Sequence, residues 1–172
     1  MSQIYSGATG KETPFIWGVR HGSQVYKEGD MVMAESQACF EGYWAQVCRG
    51  FVIGKASAEQ KRVYNATVEA YQKAVSMIKP GVRASELFAA INGIVKRAGY
   101  EVATRCGHGL GLAMAESFSI QADDNTEMQK GFYGVLHPFV KFKDGAVAMG
   151  NSFRVTDTGS EELNKAECRL EI

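Results

Sequence analysis

The residue best suited to chemistry in this sequence is His108, which lies between two glycines in the segment 105–117. An imidazole gains and loses a proton near neutral pH, so it is suited to general acid and base catalysis. The flanking glycines allow backbone or ligand atoms to come close to the ring. A glycine-rich strand end with a buried structural histidine is the alternative interpretation. His108 is therefore the first candidate functional residue.

A second group of candidates lies on a predicted β-hairpin that joins residues 31–38 to residues 43–53. If the turn is centred between residues 40 and 41, Glu35 faces Gln46 across the two strands. The other face of the hairpin is apolar and is expected to form core. The polar face is predicted either to line a cavity or to point into water. Three further side chains share this polar face, namely Met33, Trp44 and Cys48.

Length, composition and charge limit the classes of protein to which this chain can belong. The 172 residues predict a single domain spanning residues 1–172, and 45% hydrophobic residues are typical of a folded globular chain. The 19 basic residues balance the 19 acidic ones, and no basic cluster indicates a nucleic-acid partner. No apolar run is long enough to cross a membrane, and no signal peptide is evident. The four cysteines lack the spacing of a disulfide framework, so we expect reduced thiols and a cytoplasmic protein.

The elements that must position these residues follow an α+β order. Residues 1–30 are predicted to be loop and short extended pieces. A capping box of Ser57 and Gln60 begins a first helix, which Pro80 ends, and a second helix is predicted over residues 84–97. Residues 116–124 are predicted to form a loop and the tail to be peripheral. Strands are predicted at 100–105, 132–140, 145–149 and 152–156.

Several short motifs occur in a recognisable order along the chain. They are Gly29-Asp30 before a strand, Gly42-Tyr43 with Arg49 beyond it, Lys79-Pro80-Gly81-Val82, Gly107-His108-Gly109-Leu110-Gly111-Leu112, His137-Pro138, and Val155-Thr156-Asp157-Thr158-Gly159 with Leu163. In this order they resemble the C-terminal portion of the pita-bread family of methionine aminopeptidase, aminopeptidase P, prolidase and creatinase. The resemblance covers about residues 6–165. It implies a pita-bread fold that lacks most of the first pseudo-symmetric half.

The resemblance also implies a metal site whose ligands have been replaced. The family's metallopeptidases hold two metals with two aspartates, a histidine and two glutamates, and these positions are here Glu35, Gln46, His108, His137 and about Gly150. At the position of the family's second active-site histidine this chain has Ala115, with Glu116 beside it. Two close divalent cations need bridging carboxylates, so the sequence argues against a dinuclear aminopeptidase.

Creatinase is a metal-independent hydrolase of C–N bonds, and the resemblance to it implies three catalytic residues. His108 is the expected acid and base, Glu35 binds or orients a small polar substrate, and His137 hydrogen-bonds near it. No cofactor is expected in this interpretation. The creatinase histidine before the hairpin has no counterpart at its own position, and His21 lies three or four residues further on. The remaining candidate substrate-binding residues are Gln46, Glu116, Trp44 and His21.

Two alternatives to this hydrolase stay open. One is a catalytically inactive pita-bread module that binds a peptide or protein. The other is a mononuclear metalloenzyme in which Glu35, His108 and His137 hold one divalent metal.

Half of a pita-bread fold would leave a sheet edge and an apolar face uncovered, which proteins rarely tolerate. We therefore expect a homodimer, or a complex with a chain that supplies the missing half.

Overall fold

The computed structural model describes the backbone of residues 2–9 and all of residues 25–172. The elements are β1 (Ser2–Thr9), β2 (Met31–Phe40), β3 (Tyr43–Val52), α1 (Ala58–Met77), α2 (Ala84–Arg97), β4 (Glu101–Val102), β5 (Arg105–Gly109), β6 (Glu116–Gln121), β7 (Tyr133–Leu136), β8 (Phe139–Phe142), β9 (Gly145–Ala148), β10 (Gly150–Val155) and β11 (Ser160–Glu162). One sheet has the order β1-β2-β3-β10-β7-β5-β6, with β11 on β10, and a smaller sheet has the order β4-β8-β9. The mixture of helices beside largely antiparallel sheets is the predicted α+β class.

The two helices begin where local sequence chemistry predicts. The Ser57 hydroxyl accepts a hydrogen bond from the Gln60 backbone, and the Gln60 side chain accepts one from the Ser57 backbone. This capping box satisfies two backbone donors at the start of α1. α2 has the predicted bounds, and Glu86 accepts from the Arg83 backbone at its start. Their apolar stripes pack on each other and on the strands, as predicted. Among the described residues no helix is both long and apolar enough to span a membrane.

The register of the β2–β3 hairpin differs from the prediction by one residue on each strand. Phe40 pairs with Tyr43, so the loop is Glu41-Gly42, and both loop residues have positive φ, of 49° and 89°. Two consecutive positive φ values define the type I′ turn, whose twist matches that of the strands. Glu35 consequently lies opposite Cys48 rather than Gln46.

The prediction that the opposite face of this hairpin forms the apolar core is also wrong. Ala34, Ser36 and Val47 on that face are partly exposed, whereas the face of Glu35 is buried. The reason is that the small sheet lies over the polar face. Its residues contribute apolar cover to Met33 and Cys48, namely Phe139, Ala146 and Ala148.

Long-range backbone pairing corrects one other predicted segment, residues 116–124, and adds a pairing partner to two more. Residues 2–9 form a strand that pairs with residues 31–38 of β2. The predicted loop at 116–124 begins with strand β6, which pairs with β5. The C-terminal tail pairs with the end of β3, where the Val52 backbone donates to Leu170 and accepts from Ile172. In each case backbone pairing to a distant strand decides the conformation, and the local pattern does not show it.

Arg49 on β3 is hydrogen-bonded to the start of β10, the strand that lies between the hairpin and β7. Its guanidinium donates to the carbonyls of Cys48 (2.7 Å) and Gly150 (2.8 Å) and to the Asn151 side chain (2.8 Å). It also donates to the tail at Ala166. Strands β2, β3, β10, β7 and β5 are consecutive neighbours in the large sheet, and all the candidate residues on strands come from this group or from β6.

Candidate active site

A row of polar side chains is buried on the inner face of the hairpin. Gln37 Nε2 donates to Glu35 Oε1 at 2.7 Å, and the Cys48 thiol lies 3.6 Å from Glu35 Oε2. Gln46 Nε2 lies 3.8 Å from the Cys48 sulfur. Each of these four side chains is at most 5% exposed. Both Glu35 oxygens are thus held in place by neighbouring side chains.

Burial controls the proton affinity of this row. It raises the pKa of Glu35, against the lowering effects of the bonds from Gln37 and Cys48 and of the Arg105 charge. It also raises the pKa of the Cys48 thiol, with the nearby Glu35 carboxylate adding to the rise. The thiol therefore stays protonated at neutral pH, and Glu35 binds a proton more readily than an exposed glutamate does.

Two amide oxygens in this row have no partner among the described residues. They are Oε1 of Gln37 and Oε1 of Gln46, both buried. Gln37 and Gln46 are direct cross-strand partners. Buried polar atoms are nearly always hydrogen-bonded in folded proteins, so these two acceptors indicate a place for a donor from outside the described residues.

His108 is buried on β5 in a fixed orientation. Its Nδ1 lies 2.9 Å from the carbonyl oxygen of Gly109, and since a carbonyl only accepts, Nδ1 carries the hydrogen. Nε2 therefore presents a lone pair. Burial lowers the pKa of His108, and Arg105 lowers it further, against the raising effect of the Gly109 carbonyl. At neutral pH the ring is a neutral base.

His137 lies at the break between β7 and β8, as the position of Pro138 predicts. Its ring meets that of His108 edge to face, with centroids 5.2 Å apart and planes at 71°. Its backbone N–H donates to the Cys106 carbonyl at 2.8 Å. Burial, with the nearby His108 as a lesser cause, lowers the pKa of His137 to about 3. The structure thus brings the two predicted histidines into contact, with both rings neutral.

Gly150 lies close to the backbone at Leu136 and His137. A Cβ at Gly150 would lie 2.4 Å from the Leu136 carbonyl oxygen and 2.6 Å from the His137 Cβ. Separations this short require the backbone to move. Glycine at position 150 is therefore required by the packing of the segment that carries His137.

Arg105 is a site residue that the sequence interpretation missed. Across the β5–β6 pair, Arg105 lies opposite Gln121 and His108 lies opposite Ser119. Arg105 and His108 are three residues apart, whereas their partners are two residues apart, so β5 contains a bulge between them. Gln121 and Ser119 are two residues apart and share a face, so their partners do as well. The exposed Arg105 therefore lies on the same face as His108. Gly107 inside the strand pattern was the available signal, because an isolated glycine in a strand often marks a bulge.

The other predicted substrate-binding residues have different places. Trp44 is partly buried, and its backbone N–H donates to Gly111 at 2.9 Å, which joins the hairpin to the glycine-rich loop. Glu116 is exposed, and its carboxylate closes that loop by accepting from the Ala113 backbone at 2.8 Å. His21 lies outside the described residues. None of the four cysteines, all of which lie in the described part of the chain, forms a disulfide, as predicted.

The side chains present do not fit a pair of metal ions. Of the five positions that the resemblance assigns to metal ligands, Gln46 is neutral, Gly150 has no side chain, and both oxygens of Glu35 already accept bonds from the protein. Within residues 25–172 no three His, Cys, Asp or Glu side chains form a group that could hold a metal. Glu35, His108 and His137, which lie in that range, therefore do not form such a group.

Comparison with known proteins finds sequence similarity to peptidases. A sequence profile described as metallopeptidase family M24 matches residues 4–158. A Xaa-Pro dipeptidase of Pyrococcus horikoshii is 30% identical over 166 residues, covering 95% of this chain and 47% of that protein. Methionine aminopeptidase B of Synechocystis is 29% identical over 131 residues, covering 76% and 44%.

Similarity to solved structures extends over nearly the whole chain. The crystal structure of the prolidase from Pyrococcus horikoshii has a TM-score of 0.89 and 29% identity, over 98% of this chain and 48% of that one. The chain therefore spans about half the length of the prolidases and dipeptidases it matches.

Proposed function

Because the chain belongs to metallopeptidase family M24, we propose that it is a hydrolase of small polar substrates whose reaction centre works without the family's pair of metal ions. The predicted pita-bread half-fold is confirmed by the likeness to prolidase structures. The reaction we propose is hydrolysis of a C–N bond with His108 as both base and acid.

The observation that carries this proposal is the fixed tautomer of His108. With Nδ1–H held by the Gly109 carbonyl, Nε2 is the atom that exchanges protons with a substrate. Nε2 takes a proton from water while the water oxygen attacks the carbon of the C–N bond. The imidazolium then gives that proton to the departing nitrogen, which leaves as an amine. The lowered pKa keeps His108 in its basic form at neutral pH.

The remaining residues orient the substrate and the base in this proposal. His137 lies edge to face against His108 and limits the positions open to its ring. Glu35 is fixed by Gln37 and Cys48, so it offers a preorganised hydrogen-bonding group. The lack of a fitting ligand set supports a reaction without the metal pair.

Turnover measured on His108 variants tests this function. Release of amine from a panel of N-acyl amino acids, dipeptides and guanidino acids would be compared between the wild-type chain and His108→Ala, each dialysed against a chelator. We expect the variant to lose at least about a hundredfold in kcat, the usual contribution of a general base. Activity that His108→Ala retains in full would remove His108 from the mechanism. Activity that the chelator abolishes and a divalent metal restores would contradict the metal-independent reaction.

A binding module without catalysis is the second candidate. The observation that favours it is that both oxygens of Glu35 are already engaged by Gln37 and Cys48, which leaves the carboxylate less free to act in a reaction. A ligand that binds the wild-type chain with no turnover across the panel is the result expected of such a module.

We also propose that a second copy or another polypeptide covers part of this half-fold. Apolar side chains are exposed at the hairpin tip and the adjacent loop: Phe40 is 78%, Tyr43 62% and Leu112 68% exposed. Exposed apolar groups of this size are typical of contact surfaces. Light scattering on the purified chain tests this proposal, and a monomer that melts cooperatively would contradict it.

A further inference from the structure

The site carries a positive charge that the proposed acid and base chemistry does not use. Arg105 is exposed and shares the face of His108 because of the bulge in β5. A strand without the bulge would place a residue three positions before His108 on the opposite face. The bulge thus turns an arginine towards the site.

The charges around Arg105 make the site favourable for an anion. Both histidines are neutral at neutral pH, because burial lowers the pKa of each. Glu35 is the acidic group of the buried row, and burial raises its pKa. The Arg105 charge acts on all three groups, lowering the pKa of each. Arg105 is therefore the cationic side chain that acts on Glu35 and both histidines, and a ligand carboxylate could pair with it.

The unpartnered amide oxygens indicate a second feature of the ligand. Oε1 of Gln37 and Oε1 of Gln46 are buried acceptors without a described donor. A ligand N–H would satisfy them, and leaving such atoms unsatisfied is costly.

We propose that the site binds a small molecule with one carboxylate, held by Arg105, and one amide N–H, received by the carbonyl oxygens of Gln37 and Gln46. A single guanidinium matches a planar monoanion with two parallel hydrogen bonds. This inference rests on the proposed function for treating the ligand as a substrate, and it narrows the substrate class to N-acyl amino acids and related amides.

Binding of N-acetylglycine tests the proposal independently of turnover. The chain has three histidines, so imidazole resonances in a proton–carbon correlation spectrum are few and can be assigned with single variants. We expect N-acetylglycine to shift the His108 and His137 resonances saturably. Its uncharged analogue N-acetylglycinamide should bind about tenfold more weakly, since a hydrogen bond to a charged group is lost.

Variants of Arg105 test whether this residue binds the carboxylate of the ligand. Arg105→Gln should weaken N-acetylglycine binding about tenfold and leave N-acetylglycinamide binding unchanged. Arg105→Lys keeps the charge and should retain part of the affinity, which keeps the test valid where the glutamine variant does not fold. Arg97→Gln, an exposed arginine at the end of α2, is the matched control and should bind like the wild type.

Three results would overturn the inference: equal affinity in Arg105→Gln, equal affinity for the uncharged analogue, or no saturation at about 100 mM, far above ordinary affinities for small ligands. Failure of the proposed function gives a different result, because a non-catalytic site would still bind N-acetylglycine through Arg105 while His108→Ala would change no turnover.

Discussion

Acidification should destabilise this protein through His137, and the size of the effect can be worked out from its environment. The unfolded chain binds a proton at His137 with the ordinary pKa of 6.5, whereas the buried ring has a pKa of about 3. As pH falls below 6.5 the unfolded state takes up a proton that the folded state does not, so the free energy of unfolding decreases. Linkage gives a loss of about 2 kcal/mol between pH 7.5 and pH 5, continuing to about pH 3.

The measurement is urea unfolding of the wild type and of His137→Gln at pH 7.5, 6.5 and 5, followed by tryptophan fluorescence. The quantity of interest is the change in free energy of unfolding from pH 7.5 to pH 5, which should be about 2 kcal/mol smaller in the variant. Comparing this change, rather than the stability itself, cancels any constant cost of the substitution. His108→Gln should also reduce the change, because burial lowers the pKa of His108 in the same direction. An equal pH dependence in the wild type and His137→Gln would refute the argument that a neutral buried ring is required.

Two further changes test the packing and charge of the site. Glu35→Gln should raise stability at pH 8 relative to the wild type, with the gain shrinking towards pH 5: burial raises the pKa of Glu35, so the folded state resists its ionisation as pH rises. A gain in the same unfolding assay that grows on acidification would contradict this sign. Gly150→Ala should cost about 1–3 kcal/mol, since its Cβ would overlap the Leu136 carbonyl oxygen and the His137 Cβ. Gly93→Ala is the matched control: the added Cβ meets only Arg97, at 3.6 Å, and alanine should stabilise α2 by about 1 kcal/mol in thermal or urea unfolding.

Local sequence signals were sufficient for the helices and for the family. The Ser57 capping box and the apolar periodicity determine where α1 starts, and α2 has the predicted bounds. Both depend on residues three or four apart, which a single sequence shows directly. The ordered motifs likewise identified the pita-bread fold.

The register of the hairpin and the burial of its faces could not be obtained in the same way. The turn is set by the backbone of Glu41 and Gly42, and moving it by one residue changes every cross-strand partner. Which face is buried depends on β8 and β9, about a hundred residues further along the chain. Alternation alone placed Glu35 and Gln46 on one face but could not say that this face is interior.

The sequence predicts the histidines and the glutamate of the site but not the positive charge of Arg105 beside them. His108 and His137 do meet, and Glu35 does lie in a buried polar row. Arg105 was overlooked because strict alternation puts it on the other face from His108. The roles of these residues stay predictions until the variants are measured.

The close approach of Gly150 to His137 also limits how this chain can change by mutation. A glutamate at position 150 could not be accommodated while the backbone at Leu136 and His137 keeps its present path, because even the first carbon of the side chain overlaps it. A glutamate at position 137 alone would place a second carboxyl group in the protein interior with no second carboxylate-bearing position opposite. Either substitution to glutamate is therefore disfavoured without the other. Both together would also require a shift of the backbone between the two positions. Such mutual dependence makes an acidic pair at these two positions hard to acquire one substitution at a time.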